Sequence, residues 1–258
     1  MALVVTTLNV GRMLQKRTRS FLEGLIHPGV LLLQDFPYRD LPLLEKWPHV
    51  TFAPMTRHLI NGERATVGIA IASRYFMTDI SHFTVWGDGT LKKLEGINER
   101  NERHLGTQSD QLVEATEDRV LICACVHKDG VEYQLATTHG MWARGGQIND
   151  VQRATMRKTH AVLRRESLRR PGLVLGGDLN FPRDGELYML FAESFRDCLP
   201  RQIQGTLDPD HPLSRKGVNL VVDYFWHCGI PYEVEVSDVY TTGGASDHCA
   251  LSATIRRA

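Results

Sequence analysis

Apolar residues fall along this chain in short β-branched runs between polar stretches, and in two places their spacing changes to that of a helix. Leu3–Leu8 reads as a strand, and the uninterrupted apolar run Val30–Leu33 as a buried one. Between them Leu14, Thr18, Phe21, Leu22, Leu25 and Ile26 recur at i, i+4, i+7, i+8, i+11 and i+12. That is one face of an amphipathic helix, closed by Pro28-Gly29. Further strands are predicted at Thr66–Ile71, Val120–Val126, Glu132–Thr138, Leu173–Leu175, Leu220–Phe225, Glu233–Val236 and Ala250–Ile255. A second helix is predicted over Val151–Arg169, with Asp150 as its N-cap and Pro171-Gly172 as its stop. Many short strands with few helices predict two sheets packed face to face, flanked by helices, in a single α/β domain over residues 1–258. The segment Trp86–Arg119 is polar and charge-rich, a long surface excursion of the kind that is either functional or disordered.

Composition narrows the class. With 42% apolar and 23% charged residues over 258 positions, the chain can bury a sizeable core, and no apolar run is long enough to cross a bilayer. Its start lacks a basic segment and a small-residue cleavage site, and reads as a first strand rather than a signal peptide. Five cysteines without a C-x-x-C motif argue against a disulfide framework or a zinc site; Cys123 and Cys125 share a strand face as packing residues. A reducing, cytoplasmic setting is expected. Net charge is zero, which is unlike a protein that lives by non-specific contact with a polyanion. Charge is nevertheless uneven. Arg153, Arg157, Lys158, Arg164, Arg165, Arg169 and Arg170 crowd the second helix against one acid, Glu166, as either a solvated helix face or a phosphate-attracting stripe.

Candidate chemistry gathers at strand ends. Asn9 closes the first strand and Gln34-Asp35 the second, while Thr137-Thr138-His139 and Gly177-Asp178-Leu179-Asn180 close later ones. Asp247-His248 precedes the last strand. Asp223 lies within Val221-Val222-Asp223-Tyr224-Phe225, and a carboxylate inside an apolar strand needs a partner or a metal.

In this order the blocks Leu8-Asn9, Leu33-Gln34-Asp35, Thr138-His139, Gly177-Asp178-Leu179-Asn180, Val222-Asp223-Tyr224 and Ser246-Asp247-His248 resemble the endonuclease/exonuclease/phosphatase superfamily across residues 8 to 255. The resemblance implies a four-layer α/β sandwich like that of deoxyribonuclease I, two packed mixed β-sheets flanked by helices, with the blocks at one rim. It implies a divalent-metal-dependent phosphoester hydrolase using Mg²⁺, with Mn²⁺ as a substitute. Asn9, Asp35 and Asp247 would sit at the metal. Asp178 and Asn180 would face the scissile phosphate, His139 would donate to a phosphate oxygen, and Asp223 would pair with His248. Either Asp178 or His248 would take the proton of the attacking water. One residue departs from the pattern: the family carries Glu after Leu-Gln, and here Asp35 is one methylene shorter.

The expected substrate is a phosphodiester of DNA or RNA, with a small phosphoester such as an inositol phosphate or phospholipid head group as the alternative. Trp142 and Arg144 follow His139 closely; Trp142 could stack on a base and Arg144 fork onto phosphate, or both could serve a lid or packing role. Arg215, Lys216, Glu63 and Arg64 are weaker candidates. The histidines other than His139 and His248 are expected on the surface or in packing.

Overall fold

The computed structural model describes residues 2–11, 17–25, 28–60, 63–91, 117–142, 148–229 and 231–257. The strands are β1 (Ala2–Asn9), β2 (Val30–Pro37), β3 (His49–Ile60), β4 (Glu63–Ser73), β5 (Met77–Trp86), β6 (Arg119–Lys128) and β7 (Val131–Thr138). They continue with β8 (Val174–Asp178), β9 (Arg196–Asp197), β10 (Asp223–His227), β11 (Tyr232–Tyr240) and β12 (Ala250–Arg257). The α-helices among the described residues are α1 (Arg17–Gly24), α2 (Asp150–Arg169) and α3 (Glu186–Ala192).

Two six-stranded sheets form, in the orders β11-β12-β1-β2-β4-β3 and β5-β6-β7-β8-β10-β9. Each is mixed: β1–β2 and β7–β8 run parallel, and the other pairs antiparallel. Alternation along the strands explains the layering. Leu3, Val5, Val30, Leu32, Ile69 and Ile71 of the first sheet join Leu121, Leu135, Leu175 and Phe225 of the second in one buried core. The other face of β2 and β4, with Leu31, Leu33, Ala70 and Ala72, packs on Leu22 of α1, Leu44 and Trp47. β2 is therefore buried on both faces, which is why it reads as a continuous apolar run. On the far side α2 adds Met156 and Leu163, completing four layers, as the sequence and its resemblance led us to expect. Gly176 lets the sheets approach, since a Cβ there would stand 2.7 Å from Leu32 Cδ1 and 2.8 Å from Phe225.

A buried amide joins the sheets directly. Gln34 of β2 is fully buried, and its Nε2 donates to Thr7 Oγ1 at 3.1 Å and, across the interface, to Thr137 Oγ1 of β7 at 2.9 Å.

Several sequence expectations need correction. Asn149, not Asp150, caps α2: its side chain accepts from the Gln152 N–H, and Asp150 is the first helical residue. Asp223 opens its strand rather than lying inside it, and residues 220–222 form the approach. β3 and β5, both at sheet edges, were not predicted because half-exposed strands mix polar and apolar residues. Pro54 adds a break at the register shift of β3. Within the Leu14–Ile26 helix the structure shows Arg17–Gly24, with residues 12–16 and 26–27 outside the described residues. Most of the Trp86–Arg119 excursion, residues 92–116, also lies outside them. Part of the basic run on α2 is paired: Arg153 and Arg157 with Glu186, while Arg165, Arg169 and Arg170 surround the buried Glu166. Among the described residues no helix is long and apolar enough to cross a membrane.

Replacing Gln34 with Leu removes the amide and strands Thr137 Oγ1, so we expect a loss of about 1–3 kcal/mol in unfolding free energy. Urea titration with an unchanged m-value checks this, and an unaltered midpoint would remove Gln34 as the tie between the sheets.

Candidate active site

The strand ends that carry the polar blocks converge on one carboxylate. Asp178 ends β8 with 1% of its surface exposed. Its Oδ1 accepts from the Asn180 N–H at 2.9 Å, and its Oδ2 accepts from Asn9 Nδ2, at the end of β1 in the opposite sheet, at 2.9 Å. Two imidazoles close around the same Oδ2: His139 Nε2 at 3.3 Å and His248 Nε2 at 3.7 Å. Burial opposes ionisation of Asp178, but His248, His139 and Asn9 outweigh it and hold the carboxyl below its ordinary value.

His139 leaves β7 between two acids. Its Nδ1 lies 3.2 Å from Asp35 Oδ1, in ion-pair range though without the alignment of a hydrogen bond. Burial would lower its pKa, yet Asp35 and Asp178 raise it to about 9. Asp35 sits where the register of β2 on β4 shifts, with φ +52. The bulge and the left-handed backbone together turn its side chain out of the strand alternation. Asn180, at φ +55, makes the corresponding turn after β8, and its Nδ2 donates to the Gly140 carbonyl at 3.2 Å. Asp and Asn are among the few side-chain residues that accept this conformation. Gly140 has no such latitude for a side chain, because a Cβ there would meet the Leu179 carbonyl oxygen at 2.1 Å.

Behind the second imidazole stands Asp223. It faces Asp178 across the β8–β10 ladder, and its two oxygens lie 3.0 and 3.2 Å from His248 Nδ1. Burial opposes charge on His248, but Asp223 and then Asp178 outweigh it and hold the imidazole well above its ordinary range. The Asp223–His248 pairing expected from the sequence is thus present.

The 246–248 loop is tied to the first sheet. Ser246 Oγ donates to the Asn9 carbonyl at 2.6 Å and accepts from the His248 N–H at 3.1 Å. Asp247 has a side chain 48% exposed at the rim. Asn9 turns its Oδ1 to the Gly11 N–H at 2.9 Å. Trp142 is exposed two residues past Gly140, and Arg144 lies outside the described residues. Arg215 is engaged with Asp210 and Glu63 with Arg39. Donor atoms of Asp178, Asp223 and His248 lie within 4.8 Å of one another, close enough for a cation. Asp223 is already committed to His248 Nδ1, however, and the more exposed oxygens are those of Asp35 and Asp247.

Sequence reading missed the residues that hold this rim together. Thr206 Oγ1 accepts from both the Val222 and Asp223 N–H groups at 3.1 Å. Asp208 accepts from the Thr242 N–H at 2.7 Å, and its own N–H donates to the Asp247 carbonyl. Arg119, fully buried, pairs with Glu117 at 2.8 Å and donates to the Gly140 carbonyl at 3.2 Å. His211, expected on the surface or in packing, is half-buried at the rim, its Nε2 4.0 Å from Asp247 Oδ2. The Leu213 N–H donates to its Nδ1, and burial lowers its pKa, so the neutral ring carries its proton on Nε2, facing Asp247. The only sequence signal for this group was the Pro/Asp-rich loop in which Asp208 and His211 lie.

The sequence model described as "Endonuclease/Exonuclease/phosphatase family" matches residues 6–248. No curated protein matches this chain by sequence. Among solved structures, the human Nocturnin catalytic domain with bound sulfate anion superposes with a TM-score of 0.71 at 16% identity, covering 100% of this chain and 94% of that one. An endonuclease/exonuclease/phosphatase from Beutenbergia cavernae DSM 12333 gives 0.70 at 16% identity, covering 99% and 72%. Truncated Caenorhabditis elegans TDP2 gives 0.63 at 16% identity, covering 99% and 97%. At these identities the likeness establishes the shared two-sheet α/β sandwich.

In metal-free protein, NMR titration should find both His139 and His248 protonating above the ordinary imidazole value. Asp223→Asn should lower the His248 pKa while leaving His139 nearly in place. A His248 value unmoved by that substitution would dissolve the pair.

Proposed function

Because this chain belongs to the Endonuclease/Exonuclease/phosphatase family, we propose that it is a divalent-metal-dependent phosphodiesterase acting on nucleic acid. The observation that carries this reading is the buried Asp178 carboxylate flanked by two imidazoles, with Asp223 behind the second. An anion fixed between two imidazolium donors suits in-line attack on a phosphoryl centre. Asp178 orients the water and receives its proton, while His139 and His248 present N–H groups to the phosphoryl oxygens. Asp223 keeps Nδ1 of His248 protonated and directs Nε2 into the site. His211 Nε2–H stands beside Asp247 as a further donor.

The carboxylates of Asp35 and Asp247, with the amide oxygen of Asn9, are hard oxygen donors of the type that suits Mg²⁺, or Mn²⁺ in its place. When bound, such an ion stabilises charge on the phosphoryl oxygens and lowers the pKa of a coordinated water. A tetrahedral oxyanion also appears in a neighbour of this fold, the human Nocturnin catalytic domain with bound sulfate.

Trp142, exposed on the loop that leaves His139, supports a nucleic-acid strand as substrate, with a base stacked on the indole. A second reading, a small phosphoester, is favoured by the neutral net charge and by the pairing of the basic residues on α2. A panel separates them: single- and double-stranded DNA, RNA, bis-p-nitrophenyl phosphate and inositol phosphates, each with Mg²⁺, Mn²⁺ or EDTA. We expect polynucleotide cleavage that EDTA and Asp178→Ala abolish. Trp142→Ala should raise KM on polynucleotide but not on bis-p-nitrophenyl phosphate. Turnover of inositol phosphates without polynucleotides would replace the first reading by the second.

The metal assignment has a check independent of turnover. If Asp35 holds the cation, its charge would offset that of the carboxylate beside His139, so adding Mg²⁺ should lower the His139 pKa from its metal-free value of about 9. A His139 titration indifferent to Mg²⁺ would remove Asp35 from the metal.

A further inference from the structure

At the opposite end of β7 from His139, the β6–β7 hairpin brings together three side chains of different donor chemistry. Cys125 and His127 alternate along β6 and so share a face, and Glu132 is the direct cross-strand partner of His127. A sulfur, a ring nitrogen and a carboxylate oxygen lie within 4.8 Å of one another. The carboxylate is 3.9 Å from His127 Nδ1. Neither Cys nor His here contributes to the phosphoester site: the length of β7 separates them from His139, roughly 20 Å at strand rise.

Two hydrogen bonds outside the trio orient it. His127 Nε2 lies 2.6 Å from Thr78 Oγ1 on β5. With that bond donated by Nε2–H, the Nδ1 lone pair faces the Cys125 and Glu132 side. On the other flank Gln134 Nε2 donates to Cys125 Sγ at 3.2 Å; burial and then Glu132 push the metal-free thiol up, and the hydrogen bonds of Thr78 and Gln134 oppose that rise. An imidazole whose second nitrogen is fixed by a neighbour, and a sulfur that receives a donor, are the partners found around bound metal ligands. Cys125 is buried, as expected of a packing residue, and these contacts are additional to that role.

We propose that Cys125, His127 and Glu132 form a second metal site, distinct from the phosphoester-cleaving rim, that takes a borderline divalent ion of the Zn²⁺ class. The S, N, O donor set selects Zn²⁺ over Mg²⁺, which takes oxygen donors in octahedral geometry. On binding, the Cys125 thiol releases its proton to solvent. The ion then gains Sγ, Nδ1 and a carboxylate oxygen, with water as the fourth ligand. Bridging two strands beside their Asp129-Gly130 turn, it would clip the hairpin.

The test is Co²⁺ titration of the full, reduced chain in excess Mg²⁺, which occupies the oxygen-rich rim. A near-ultraviolet thiolate-to-cobalt band should appear with a single equivalent of Co²⁺ and be bleached by Zn²⁺. It should persist in Cys249→Ser, the cysteine that follows His248 in the chain, and vanish in Cys125→Ser. Thr78→Val keeps all three ligands and should weaken affinity by about 10–100-fold. No band in the wild-type chain, or a band surviving Cys125→Ser, overturns the proposal. Should Cys125→Ser fail to fold, unchanged affinity in Thr78→Val overturns it instead.

Discussion

A carboxylate with almost no exposure must find compensation inside the protein, and Asp178 finds it only if both sheets are in place. Its Oδ2 takes the amide of Asn9 from the first sheet and two imidazoles presented by the second sheet and the 246–248 loop. An uncompensated buried anion costs several kcal/mol, so the alignment of the sheets and the assembly of the site are one problem. Gln34 shows the same logic a few ångströms away, as an amide bridging β2 to β7. The chemistry is placed at a seam, and the seam is held partly by the chemistry.

The parallel pairs explain where that seam falls. β1 runs parallel to β2 and β7 to β8, so Asn9 and Gln34 are register partners, and Thr138-His139 and Asp178 emerge at the same edge. Parallel neighbours deliver their C-terminal ends to one side, the side on which open α/β sheets gather their ligands. The antiparallel strands β10 and β12 reach the rim by their N-terminal ends instead, which is why Asp223 opens β10 and Asp247-His248 precedes β12.

This division also decides what could be read from the sequence. Strands buried on both faces, such as β2, and blocks at strand ends, such as Asp178-Leu179-Asn180, announce themselves by composition and order. The edge strands β3 and β5 do not, because one face meets solvent and their polar residues mask the alternation. Nor do Thr206, Asp208, Arg119 and His211, whose roles arise from loops folding back across many residues. The basic run on α2 was legible as a pattern but ambiguous in meaning. Its partner Glu186 lies on another helix, beyond the range of helical spacing. Cys125 illustrates the remaining limit. As a residue it reads as packing, and only the cross-strand register puts Glu132 opposite His127 and Gln134 opposite Cys125.

Asp35 is the place where this chain departs from its family's pattern, and the backbone around it supplies a rationale. A left-handed φ of +52 at a bulge suits Asp better than Glu, since a short polar side chain tolerates that conformation. The turn delivers the shorter carboxylate to 3.2 Å from His139 rather than straight off the strand end. His139 then lies between two acids, and its positive charge occupies part of the field that a cation would fill. If Asp35 holds a cation, as proposed, that cation and the imidazolium of His139 would compete for the same carboxylate. The left-handed turn at the bulge thus sets where the shorter Asp35 carboxylate stands, beside His139.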